Sequence, residues 1–67
     1  MDEPLHRFLV DALEPREGQR KGQAFMNALI RHNPSLLERL QRDRPDLDAF
    51  YVDDRMWATL VWVKENW

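Results

Sequence analysis

The chain contains no cysteine, two glycines and no long apolar run in its 67 residues. Without cysteine no disulfide can brace the fold, and two histidines without a thiolate partner leave no structural zinc set. A membrane-crossing helix needs about 20 apolar residues, and the apolar runs here are only a few residues long, as in Phe8-Leu9-Val10. The start Met1-Asp2-Glu3-Pro4 is acidic where a secretory leader carries a basic region. These absences lead us to expect a soluble, cytoplasmic protein with no membrane association. Hydroxyl nucleophiles are as scarce: Ser35 and Thr59 are the only serine and threonine. Ser35 lies near His32, but the Asn33-Pro34 break separates them and no carboxylate is evidently positioned to complete a triad. Gly18-Gln19-Arg20-Lys21-Gly22 has glycine and lysine without the order of a phosphate-binding loop. No catalytic residues, no metal site and no cofactor are expected.

Apolar residues recur at helical spacing throughout, and the expected fold is all-α: one small domain, a bundle of three to four short helices. The first helix is predicted over about Pro4 to Leu13, with proline in the first turn, where its missing N–H costs nothing. Leu5, Phe8, Leu9, Ala12 and Leu13 share one face at 100° per residue, and Arg7 and Asp11 form an i,i+4 pair on the other. A break at Glu14-Pro15-Arg16-Glu17-Gly18 precedes a second helix over about Gln19 to His32. Its apolar face centres on Phe25, Ala28, Leu29 and His32, flanked by Met26 and Ile30. Gly22 inside it costs about 1 kcal/mol against alanine, which suggests a close packing contact. Asn33 caps a third helix, with Pro34 in its first turn, running to about Arg42 and presenting Leu36, Leu37 and Leu40. The segment Asp43 to Val52 is a long connection whose aromatic residues are expected to plug onto the core. Asp53 or Asp54 then caps the last helix. Met56, Trp57, Leu60, Val61, Val63 and Trp67 form its expected inward arc, and Trp62 falls on the outward side.

The net charge of −2 hides a gradient. Residues 1–15 sum to 1 − 4 = −3, residues 16–44 to 7 − 3 = +4, and residues 45–67 to 2 − 5 = −3. Either the acidic ends pair with the basic middle, or the middle offers a basic face to an acidic partner. Arg20, Gln23, Asn27 and Arg31 align on one side of the second helix. They would contact a phosphate backbone or an acidic protein surface, or Gln23 and Asn27 would tie down the Asp46–Asp54 loop by hydrogen bonds. Asp46, Asp48, Asp53 and Asp54 lack the spacing of a calcium loop, and are expected to cap helices or pair with Arg20, Arg31 or Arg44. The third helix offers only Ser35, Glu38, Arg39 and Arg42 to a DNA groove.

The stretch Arg20-Lys21-Gly22-Gln23-Ala24-Phe25-Met26-Asn27-Ala28-Leu29 resembles a group of short bacterial and phage-encoded proteins with an R-x-G-Q-A-x-x-N-A-L pattern. In that group an Asn-Pro-like helix start, a D-P-F-Y-D-D segment and a final W-V follow. Here they read Asn33-Pro34, Asp48-Ala49-Phe50-Tyr51-Val52-Asp53-Asp54 and Trp62-Val63. Ala49 replaces the usual proline and Val52 is an insertion. The resemblance covers roughly residues 20 to 63 and implies a bacterial or phage origin and a compact helical fold, but no chemistry. The functional expectation is a non-enzymatic protein-binding module, such as a phage-encoded factor acting on a host or phage protein, with Arg20, Gln23, Asn27, Arg31, Arg39, Arg42 and Trp62 as contact residues. The alternative is a small nucleic-acid-binding accessory protein using the basic face of helices two and three. A structural homodimer is the third form.

Overall fold

The computed structural model describes residues 3–67; Met1 and Asp2, part of the acidic start, lie outside the described residues. Four helices follow one another, α1 (Glu3–Leu13), α2 (Lys21–His32), α3 (Pro34–Asp43) and α4 (Met56–Asn66), with short 3-10 turns at Pro45–Leu47 and Asp53–Arg55. No strand occurs among the described residues. The body measures 28 × 27 × 17 Å, which gives depth for two helix layers and no more.

α1 buries Leu5, Phe8 and Ala12, an i, i+3, i+7 row, against α2. Phe8 is fully buried and touches three rings: Phe25 edge-on at 5.3 Å, His32 edge-on at 5.9 Å and Trp67 stacked at 5.2 Å. One residue of the first helix thereby joins the second helix to the end of the fourth. Leu13 ends α1 two residues before Pro15, and Gly18 makes the turn into α2 at φ +81°, where a side chain would be strained. Asn33 works at two helices. Its N–H donates to the Leu29 carbonyl at 2.8 Å to close α2, and its Oδ1 accepts from the Leu36 N–H at 3.2 Å to cap α3. Leu36, Leu37 and Leu40 of α3 are buried as their spacing predicts.

Several local expectations are overturned. α2 begins at Lys21, so Gly22 sits in its first turn, and Arg20 offers no side-chain cap. The missing cap comes from 31 residues downstream: Asp53 Oδ1 accepts the Gly22 N–H at 3.1 Å. Neither Asp53 nor Asp54 caps α4, which follows the 3-10 turn directly and has Arg55 without a side-chain cap at its start. Gly22 does serve a close approach, but to the 48–53 loop and not to another helix. A methyl group there would overlap the Ala49 carbonyl oxygen and lie 3.1 Å from Asp53 Oδ1. Arg7 pairs with Glu3 at 2.8 Å, not with Asp11.

The last helix is rotated from its predicted orientation. Its buried residues are Met56, Thr59 and Val63, while Trp57 and Val61 are exposed and Leu60, Trp62 and Trp67 pack half-buried against the core. The cause is Thr59. Its hydroxyl donates to the Leu47 carbonyl, with the Arg55 carbonyl also within reach at 2.9 Å. A polar residue so satisfied occupies the middle of the inward face, and the arc turns to admit Trp62 and expel Trp57. Tyr51 is also outside, 83% exposed, whereas Ala49 and Phe50 plug the loop onto the core as expected.

Gly22→Ala tests the loop contact. Helix propensity alone favours alanine by about 1 kcal/mol; the collision with Ala49 reverses the sign, and a net loss of about 1–3 kcal/mol is expected in chemical denaturation. A stabilised variant would contradict the contact.

Candidate functional site

The residues aligned on the outer side of α2 do not form one site. Arg31 reaches back to α1 and donates to Asp11 Oδ2 at 2.9 Å. Gln23 and Asn27 are half-buried, and neither side chain bonds the 48–53 loop among the described residues. That loop is held by other groups: the Gly22 N–H, which donates to Asp53, an Asp48 carboxylate that accepts the Phe50 N–H at 3.0 Å, and Arg55, which donates to the Asp48 carbonyl at 3.2 Å; the Thr59 hydroxyl holds the Leu47 carbonyl just before it. Arg20 stays exposed with no ion pair among the described residues.

The other expected contact residues are also engaged within the fold. Arg39 donates to Asn66 Oδ1 at 2.9 Å and lies 5.9 Å from the centre of the Trp62 ring, a cation–π contact that ties α3 to α4. Trp62 is therefore a partner of Arg39 and of the core, not an outward anchor. Arg42 pairs with its neighbour Asp43 at 3.0 Å, and Arg44 grips Asp46 with two bonds of 3.1 Å. Each guanidinium holds its carboxylate below the usual range, Asp43 through Arg42 and Asp46 through Arg44.

Asp11 is the densest charge node. Its carboxylate receives Arg31, His32 Nε2 at 2.9 Å and Arg16. The Arg31 hydrogen bond, above all, holds the Asp11 carboxyl down to about 2 against an ordinary 3.8, with His32 and Arg16 adding to it and burial opposing it. The acidic first segment thus neutralises part of the basic middle.

Apart from these pairs, the feature that stands out is apolar. Between the end of α1, the start of α2 and the start of α4 lies an open groove of about 400 Å³. Buried Ala12, Ala24 and Met56 form its floor. Leu13, 44% exposed, and Trp57, 61% exposed, form its walls, and Glu14, Arg16 and Lys21 add charged groups to the lining. Val61, one turn beyond Trp57 on α4, is also exposed, at 54%. Sequence periodicity placed Trp57, Val61 and Leu13 inside. The signal that relocates the first two is Thr59: admitting a satisfied hydroxyl to the inward face turns Trp57 and Val61 out. Chemically the groove offers apolar area, the Trp57 ring and the charged groups of Glu14, Arg16 and Lys21. No group of three acidic or histidine side chains among the described residues is arranged to hold a metal ion.

The Asp11 node gives a pH prediction. The folded carboxyl titrates below the unfolded one, so its contribution is complete above about 3.8 and is lost as pH falls through about 2. That gap corresponds to about 2 kcal/mol in full; because Arg16 and Arg31 are partly solvated, about 1 kcal/mol is expected. Asp11→Asn should cost that much at neutral pH in denaturant titrations, and the difference from the parent should vanish in strong acid. A pH-independent difference would contradict the node.

Scans against protein-family models, curated proteins and solved structures each return no match for this chain.

Proposed function

We propose that the chain is a non-enzymatic protein-binding module and that the groove beside Trp57 is its contact surface. The observation that carries this reading is Trp57 itself, a large indole left 61% exposed over a preformed apolar floor. Tryptophan is costly to leave in water, and it is enriched among the residues that dominate interface energies. Neighbouring Leu13 and Val61 widen the patch, and the charged groups around it form a polar rim of the kind that surrounds interface cores.

The nucleic-acid alternative draws less support. It needs Arg20, Arg31, Arg39 and Arg42 free to neutralise phosphates. Of these Arg20 alone has no ion pair among the described residues; Arg31 and Arg42 pair with carboxylates, and Arg39 with Asn66 and Trp62.

The test is capture from a bacterial lysate with the tagged full chain as bait, with and without nuclease, at low and high salt. A captured protein that survives nuclease and is lost with Trp57→Ser, while Arg42→Ala retains it, is the expected result. Capture that disappears with nuclease and falls steeply with salt would favour the nucleic-acid reading instead.

A further inference from the structure

The groove beside Trp57 has depth but little breadth. Its floor is made of small groups: a buried methyl at Ala12 of α1 and another at Ala24 of α2 leave a hollow between Leu13 and Trp57, with Met56 also buried there. The volume of about 400 Å³ lies at the small end of the roughly 300–1,000 Å³ range of preformed ligand pockets, and gives room for a large apolar side chain. The exposed large apolar groups of the lining are Leu13 and Trp57. Two side chains fall well short of the roughly 800 Å² per partner of a standard interface. A hollow of this kind suits a short segment with a single anchor better than it suits a broad domain face or a second copy of the chain.

The charges of the lining say what that segment carries. Three ionised side chains line the groove: Glu14, Arg16 and Lys21. Arg16 is matched within the fold, bonded to Asp11 and 3.9 Å from Glu14. Lys21 has no ion-pair partner among the described residues. It precedes Ala24 by one turn of α2 and so borders the apolar floor. A segment that covers Trp57 also removes water from Lys21. A neutral segment leaves that ammonium less solvated and unpaired, a basic one adds repulsion, and an acidic one pairs it. We propose that the groove's occupant is a short acidic-apolar segment of a partner protein. One large aliphatic or aromatic side chain of the segment sits over Ala12, Ala24 and Met56 against Trp57, and an Asp or Glu carboxylate beside it meets Lys21. The proposal rests on the groove as a contact surface and adds the chemistry that the groove selects.

Selection of a random peptide library on the full chain tests it, followed by NMR titration with synthetic copies of the enriched peptides. Enriched sequences should combine a large apolar residue with an Asp or Glu within about four positions of it. Their binding should weaken roughly tenfold in Trp57→Ser, with the helical circular-dichroism spectrum unchanged. Replacing the peptide's carboxylate by the corresponding amide should weaken binding to the parent about threefold at low salt. The same replacement should make no difference in Lys21→Met, because the pair is already broken there. Enriched peptides that need Trp57 but carry no acid overturn the proposal and leave the groove's role as a contact surface intact, as does an acid-to-amide loss that persists in Lys21→Met. Absence of any enrichment, or peptides indifferent to Trp57→Ser, defeats the contact surface as well. Two further results overturn a partner's segment as the occupant: a Trp57 indole resonance that moves with the concentration of the chain alone, which seats a second copy there, and decanoate that binds at Trp57 more tightly than the enriched peptides, which seats a free amphiphile.

Discussion

The fold depends on one contact that spans 31 residues. The backbone of the 48–53 loop lies on Gly22 so closely that no side chain fits there, and Asp53 supplies the cap that α2 lacks at its own start. A free helix end with unsatisfied N–H groups is costly when partly buried, and a long connection needs anchors for its own polar backbone. The two requirements meet in one hydrogen bond. The consequence is positional: α4 follows Asp53 by three residues, so the clasp sets where that helix starts and, through Thr59 and Leu47, how it is rotated. Trp57 reaches the surface, and the groove exists, because of that rotation.

The charges follow a related economy. The basic middle of the chain looks like a binding face when written out in one dimension. In three dimensions Asp11 draws in Arg16, Arg31 and His32, while Asp43 and Asp46 hold the arginines beside them. Outside these pairs the surface carries an apolar groove with a few charges of both signs around it. Such a surface favours shape and area over long-range attraction.

The broad fold was legible because short-range rules governed it. Pro4 and Pro34 in first turns, Asn33 at a boundary, and the rows of Leu5, Phe8, Ala12 and of Leu36, Leu37, Leu40 each depend on neighbours within a turn or two. The site was not legible, because it depends on partners far away in the chain. Nothing local distinguishes Asp53 as the cap of α2 from a cap of the helix that follows it. The same holds for Thr59: a hydroxyl counts as polar until the Leu47 carbonyl, twelve residues upstream, is known to accept from it. With Thr59 excluded from the inward arc, Trp57 entered it and Trp62 left it, the reverse of the structure. Gln23 and Asn27 hold no part of the loop, whose contact with α2 is made at Gly22.

Hydrogen exchange followed by NMR, in the parent and in Asp53→Ala, measures the clasp most directly. The account predicts that the Gly22 amide is protected in the parent and loses that protection in the variant. It also predicts that the Trp57 indole resonance shifts as α4 loosens, while the Phe25 and Leu29 amides in the centre of α2 stay protected. A Gly22 amide that exchanges freely in the parent, or a Trp57 resonance unmoved by loss of the Asp53 carboxylate, would contradict the claim that this single contact positions the fourth helix.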